Sequence, residues 1–128
     1  MVDLTVDKII EVQTRIIEVS EQEEDNGTGG LVRDRGTLDF LVDKANYIDD
    51  SYRKAAQILY SIAAQHPFYQ GNKRTALIVA EMILILEAGS YITADDEVID
   101  LYVREVATYR HDLKDVECWI LGNCQKKV

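Results

Sequence analysis

The chain of 128 residues has one proline, two cysteines, little positive charge and no long uncharged apolar run. Each scarcity removes a class of protein. Cys118 and Cys124 lack CxxC spacing and a nearby histidine pair, so there is no zinc or redox motif, and free thiols in a reducing compartment are expected. The longest nearly uncharged stretch, Thr75 to Leu86, is interrupted by Glu81 and falls short of the ~20 apolar residues that cross a bilayer. It reads as a buried helix, with no membrane role. Near Asp3 no basic segment leads into an apolar one, so no signal peptide is evident and a cytoplasmic location is expected. A net charge of −9 argues against a general nucleic-acid binder, whose affinity comes from Lys and Arg neutralising phosphates.

What is present is enough for one core. With 47% hydrophobic residues the chain suits a single domain over 1–128, with no internal repeat, low-complexity tract or linker. Helical patterns run through it. Val6, Ile9, Ile10, Gln13, Ile16, Ile17 and Ser20 form one stripe from Val6 to about Glu21, with Thr5 as N-cap. Glu21 to Gly30 is acidic, then glycine-rich, and reads as a mobile loop. Thr37 is the expected cap of a short helix through Lys44, and Ser51 the cap of one from Tyr52 to Gln65. Lys73 to Ala88, apolar on nearly every side and stopped by Gly89, is the expected core element, in which Glu81 needs a polar partner. Two further helices follow, one capped by Thr93 and reaching Tyr109, the other from Asp112 through Leu121, stopped at Gly122. Strand is suggested only at Leu31 to Gly36. His111 reads as an ordinary loop residue and the seven tyrosines as packing residues.

One segment carries chemistry: His66-Pro-Phe-Tyr-Gln-Gly-Asn-Lys-Arg-Thr-Ala76. Pro67 biases His66 away from helical geometry, which ends the preceding helix and leaves the imidazole projecting. Phe68 is a natural anchor, and Gly71 allows a positive φ or a close backbone approach. If the next helix starts near Asn72, its first N–H groups point into the same space as Lys73 and Arg74, forming an anion site from backbone and charge. Two cations at a helix start oppose the helix dipole, and a bound anion removes that conflict. Imidazole titrates close to cellular pH and can take a proton from an attacking hydroxyl. A phosphate held beside a base is the resulting picture.

The same residues resemble the signature of the Fic/Doc (Fido) family, His-Pro-Phe-x-acidic-Gly-Asn-x-Arg, and the ending Asn-Lys-Arg-Thr-Ala is similar to its death-on-curing (Doc) branch. Gly29 to Gly36 resembles the family's flap. The resemblance implies an all-α, compact helical bundle of about six helices with a short β-like flap. It implies an enzyme that uses ATP and Mg²⁺ to modify a protein hydroxyl: Fic enzymes generally move AMP, whereas the Doc branch moves the terminal phosphoryl group. By position, His66 is the general base, Gly71 and Asn72 cradle phosphates, and Lys73 and Arg74 hold the donor. The flap residues Leu31, Val32, Arg33, Asp34, Arg35 and Gly36 align the acceptor as an added strand.

Two positions depart from the commoner pattern. Gln70 stands where an acidic Mg²⁺ ligand is usual and offers only a neutral oxygen. Lys73 stands where AMP-transferring relatives have glycine, as in Doc, and points to phosphoryl transfer. AMP transfer, or a nucleotide- or protein-binding module without turnover, are the alternatives. In the Doc branch the acceptor is a translation elongation factor and a small antitoxin lays a helix in the toxin's groove; both are implied as partners here. The self-inhibitory Ser/Thr-x-x-x-Glu-Gly/Asn motif of Fic relatives is not intact: Ser20 to Glu24 is followed by Asp25, and Thr93 to Glu97 by Val98.

Overall fold

The computed structural model describes residues 3–127. Among them are six α-helices: α1 (Val6–Glu18), α2 (Arg35–Asn46), α3 (Ser51–Gln65), α4 (Asn72–Ala88), α5 (Asp96–Ala107) and α6 (Leu113–Gly122). A 3₁₀ turn at Glu23–Asp25 lies between α1 and α2, and strands β1 (Ser90–Ile92) and β2 (Cys124–Lys126) form an antiparallel ribbon. The fold is all-α, as the helical periodicity implies.

The hub is α3 rather than α4. Ala55, Ala56, Ala63 and Ala64 are fully buried beside Ile58, Leu59 and Ile62, and these small side chains let α2, α4, α5 and α6 all pack against this one helix. By contrast, α4 exposes Ile78, Ile85 and Leu86, so its apolar run is wider than the face it buries. At its C-terminal end, Lys54 of α3 and Glu87 of α4 form a 2.7 Å ion pair with side chains 1% and 4% exposed. Ser51 Oγ donates to the same carboxylate at 3.1 Å.

Helix starts differ from the sequence expectation in a consistent way. Asp34 caps α2 through Thr37 N–H, Asp50 caps α3 through the N–H groups of Tyr52 and Arg53, and Asp95 holds the cap position of α5. The nearby Thr37, Ser51 and Thr93 hydroxyls go elsewhere. An aspartate and a hydroxyl both suit an N-cap; the aspartate lies upstream of the hydroxyl in α2 and α3 and lengthens them, but downstream of Thr93 in α5, which therefore starts later. As a result Arg35 and Gly36 belong to the first turn of α2, not to a strand. At the other ends, α1 stops at Glu18 and Tyr109 lies beyond α5 with φ 62°.

The strands also lie elsewhere than expected. The flap contributes an isolated bridge between Val32 and Phe68, whereas the ribbon pairs Ser90 with Lys126 and Ile92 with Cys124. Thr93 N–H bonds Asn123 O at 2.8 Å, and Lys127 N–H bonds Gly89 O at 2.8 Å. Glu81 finds its polar partner here, accepting from Ile92 N–H at 3.1 Å. Tyr102 stacks on Trp119 with ring centres 4.3 Å apart, and His111 packs on the same tyrosine while bonding Glu105 at 2.8 Å. Both cysteines are free, and burial pushes the Cys124 thiol up to about 11. No described helix is long and apolar enough to cross a membrane.

Candidate functional site

Pro67 stops α3 at Gln65, and His66 takes the left-handed conformation (φ 50°, ψ 60°). That geometry is unfavourable for a residue with a side chain and persists where its surroundings fix it. Arg33 does so: its Nε donates to His66 O at 2.7 Å and its Nη2 to Gln65 O at 2.8 Å, satisfying carbonyls at the helix end. The backbone N–H groups of Arg33 and Asp34 both reach Pro67 O. The imidazole Nε2 lies 3.3 Å from Ala107 O. A carbonyl can only accept, so Nε2 carries a proton in this contact, and the tautomer of the neutral ring that fits it has its lone pair on Nδ1.

Phe68 is buried and anchors the loop. Asn72 closes it, accepting from Phe68 N–H at 2.9 Å and donating to Phe68 O at 2.8 Å. Its side chain is therefore a clasp, and what Asn72 offers an anion is its backbone N–H. Gly71 sits at φ 80°, ψ 11°, where a Cβ would be strained and would stand 3.4 Å from Ile17 Cδ1. The first helical bond of α4 runs from Thr75 N–H to Gly71 O, so the N–H groups of Asn72, Lys73 and Arg74 precede the hydrogen-bonded ladder. No side chain caps this helix start. It is a donor cluster at the positive end of a 17-residue helix.

Arg74 is engaged by a residue the motif does not contain. Its Nη1 and Nη2 lie 2.9 and 3.2 Å from the two oxygens of Asp25, whose side chain is 1% exposed. Ser20 Oγ donates to the same carboxylate. The Arg74 hydrogen bond, with Ser20's hydroxyl and Arg74's charge, outweighs burial and holds the Asp25 carboxyl below its ordinary range. The acidic loop is thus tied down rather than loose: Thr28 Oγ1 donates to Asp25 O, and Gln13 in α1 stitches three segments together. The Gln13 amide donates to Thr28 O and Gln70 O and accepts from Gly30 N–H at 2.8 Å.

These elements border a cavity of about 720 Å³. His66, Gln70, Gly71, Asn72, Lys73 and Arg74 all line it. Glu24 contributes a carboxylate from the loop, and Asp100 and Arg104 reach it from α5. Arg104 pairs with Asp100 at 3.0 Å on an exposed surface, a contact worth little on its own. Lys73 has no ion pair among the described residues. The flap residues Leu31 to Gly36 are not among those lining the cavity; Arg33 and Asp34 brace its histidine from outside, and Arg35 pairs with Asp39 at 3.5 Å. No group of three or more His, Cys, Asp or Glu among the described residues is placed to hold a metal ion.

Sequence reasoning missed Gln13, Asp25, Asp100 and Arg104. A glutamine in an apolar helical stripe is a legible signal for a buried polar clasp. Nothing in the acidic run distinguishes Asp25 from Glu23 or Glu24, and the two α5 residues read as surface charge. Far from this cavity, a mostly apolar groove of about 370 Å³ lies near Ile85 and Tyr91, with Lys127 the charged residue on it.

Comparison with known proteins agrees with the motif. The profile of the Fic/DOC family matches residues 3–84. Toxin Doc from Mycolicibacterium smegmatis is 38% identical over 101 residues, covering 71% of this chain and 76% of that protein. The family match spans both the stretch that supplies Asp25 and the loop that carries His66. With helix α4 presenting its open N-terminus beside that histidine, the chain belongs to the Fic/DOC family, on its Doc branch.

Proposed function

We propose that this chain is the toxin of a toxin–antitoxin pair and transfers the terminal phosphoryl group of ATP to a hydroxyl of a target protein. The observation that carries the chemistry is the uncapped start of α4, with Lys73 and the left-handed His66 facing one cavity. The likeness to a Doc toxin supports the biological role and a small antitoxin as partner. In the reaction His66 Nδ1 takes the proton of the acceptor hydroxyl, whose oxygen bonds to the terminal phosphorus. The bond from that phosphorus to the bridging oxygen breaks, and ADP leaves. The protein's part is positioning and charge stabilisation more than covalent chemistry. Backbone N–H groups of Asn72 to Arg74 and the Lys73 ammonium hold the phosphates, while Asp25 fixes Arg74 and offsets its charge.

With no carboxylate cluster among the described residues placed to hold a metal, Mg²⁺ would be held here chiefly by the phosphates of the nucleotide. Gln70 and Glu24 are the protein oxygens that would hold it beside the phosphates, and it would supply charge neutralisation there. The acceptor segment would lie along Leu31 to Asp34, the extended part of the flap.

AMP transfer uses the same residues with attack at the phosphorus next to the ribose. Lysine at 73 supports phosphoryl transfer over it, because a side chain there would obstruct the cradle that glycine opens. The test incubates the protein with a cell lysate and ATP labelled at either the α- or the γ-phosphate, with His66→Ala as control. His66-dependent label on a protein is expected from γ-labelled ATP. Label from α-labelled ATP would establish AMP transfer instead, and no His66-dependent label from either would leave a binding module. Lys73→Gly is expected to shift label from γ toward α.

A further inference from the structure

Among the described residues, two with side chains take a positive φ: His66 at 50° and Tyr109 at 62°. Far apart in the chain, they flank one hydrogen bond, from His66 Nε2 to Ala107 O. Tyr109 is 67% exposed, so packing of its ring does not account for a conformation that disfavours side chains, and the turn itself holds it. That turn is a Schellman ending of α5. Arg110 N–H reaches Glu105 O at 3.0 Å and Tyr109 N–H reaches Val106 O at 3.1 Å, with tyrosine at the position where glycine is usual. Thr108 adds its N–H and its Oγ1 to Arg104 O and Glu105 O. The last four carbonyls of a helix have no partner within it, and three of those of α5 are satisfied in this way. The fourth is Ala107 O, whose donor among the described residues is His66 Nε2.

This carbonyl also ends a helix of 12 residues, where the backbone dipoles sum to a partial negative charge. The base of the transfer reaction needs a free Nδ1, a fixed ring plane and a counter to the positive charge the ring acquires with the proton. Resting on the phosphotransfer reading, we propose that the C-terminal turn of α5 is the orienting partner of His66, with Tyr109 the positioning residue that aims Ala107 O at the ring. Nε2 keeps its proton throughout, Nδ1 takes the one from the acceptor hydroxyl, and the carbonyl end of α5 faces the resulting imidazolium. A helix end thus takes the part of the carboxylate that orients the histidine of a Ser-His-Asp triad. Arg33 holds the backbone of His66 and α5 holds its ring. The family match ends at residue 84, so this partner comes from a part of the chain that the match does not describe.

The chain has two histidines, so ring-nitrogen NMR spectra of the full protein are simple, and His66→Ala assigns the signals. At about pH 8.5, roughly two units above the ordinary imidazole value, wild-type His66 should show one tautomer with its proton on Nε2. Tyr109→Pro sets φ at about −65° and removes the N–H that bonds Val106 O, which re-aims Ala107 O, and the His66 ring should then relax to a mixture of tautomers. At saturating ATP, His66-dependent transfer from γ-labelled ATP in lysate should fall about three- to tenfold, the effect of one hydrogen bond, with Mg-ATP affinity by calorimetry unchanged. Tyr109→Gly keeps the left-handed turn and should match the wild type in both readouts. Far-ultraviolet circular dichroism checks folding, and Tyr109→Val, whose β-branch resists positive φ, replaces the proline variant if that one does not fold. A wild-type ring protonated on Nδ1 overturns the proposal, as does a wild-type ring spectrum or a wild-type rate in folded Tyr109→Pro, and each of these leaves the phosphotransfer reading standing. A wild type that transfers no label overturns that reading and the catalytic use of the contact with it, while the ring spectrum still decides the contact itself.

Discussion

The two ends of α4 carry the same kind of ion pair put to different uses. Glu87 near its C-terminus and Arg74 near its N-terminus both oppose the helix dipole, and each is matched by a residue from elsewhere, Lys54 and Asp25. The Lys54–Glu87 pair is closed, both side chains being at most 4% exposed. The Arg74–Asp25 pair is open on one side, since Arg74 is 36% exposed and borders the cavity. A closed pair can act only on the fold. An open one lies where a phosphate could compete for the arginine, so it belongs to both stability and function.

The comparison breaks if variants at the two ends affect the same quantity. At the open end, His66→Ala should slow transfer by roughly 10²- to 10⁴-fold, the range for a positioned acid-base group, with the thermal midpoint little changed. Initial rates and a melting curve on the same preparation check this, and equal rates would remove His66 from the mechanism. At the closed end, Lys54→Ala should lower stability by about 3–5 kcal/mol, because an ammonium is lost from beside a buried carboxylate. Denaturant titration measures it, with nucleotide affinity expected to stay as in the wild type for the folded fraction.

Asp25→Asn sharpens the distinction and should have the smallest effect of the three. Arg74's exposure weakens the pair, so a stability loss of about 1–2 kcal/mol is expected, together with tighter tripolyphosphate binding once Arg74's charge is released. The loss should depend on pH. Asp25's folded pKa lies below the ordinary 3.8, so the wild type's advantage is full above the usual carboxylate range and fades as pH falls through the folded value. Stability curves of both proteins from pH 7 to about pH 2 should converge at the acid end. A constant difference would show that the carboxylate's charge is not what stabilises the pair.

Much of this was legible in the sequence, for physical reasons that differ by region. The eleven residues from His66 to Ala76 place a helix stop, a turn and a helix start consecutively, so local rules alone bring imidazole, backbone donors and cations together. Periodicity likewise gives the helices, since each buries one face. What was not legible depends on distance along the chain. Asp25 meets Arg74 across 49 positions, with Glu23 and Glu24 as equally good candidates by composition. The ribbon joins three-residue strands too short to show alternation. The central role fell to α3 because alanines admit neighbours on many sides, whereas hydrophobicity alone favoured α4.

The amide of Gln13 makes one exchangeable proton a clock for the whole mouth of the site. Gly30 N–H is held 2.8 Å from Gln13 Oε1, while the other end of the same amide holds Thr28 O and Gln70 O. Solvent can take that proton only when Gln13 Oε1 and Gly30 N–H part, which opens the contact between α1 and the loop that also carries Asp25. The rate at which Gly30 trades hydrogen for deuterium therefore reports how often that contact opens, with no ligand or substrate needed.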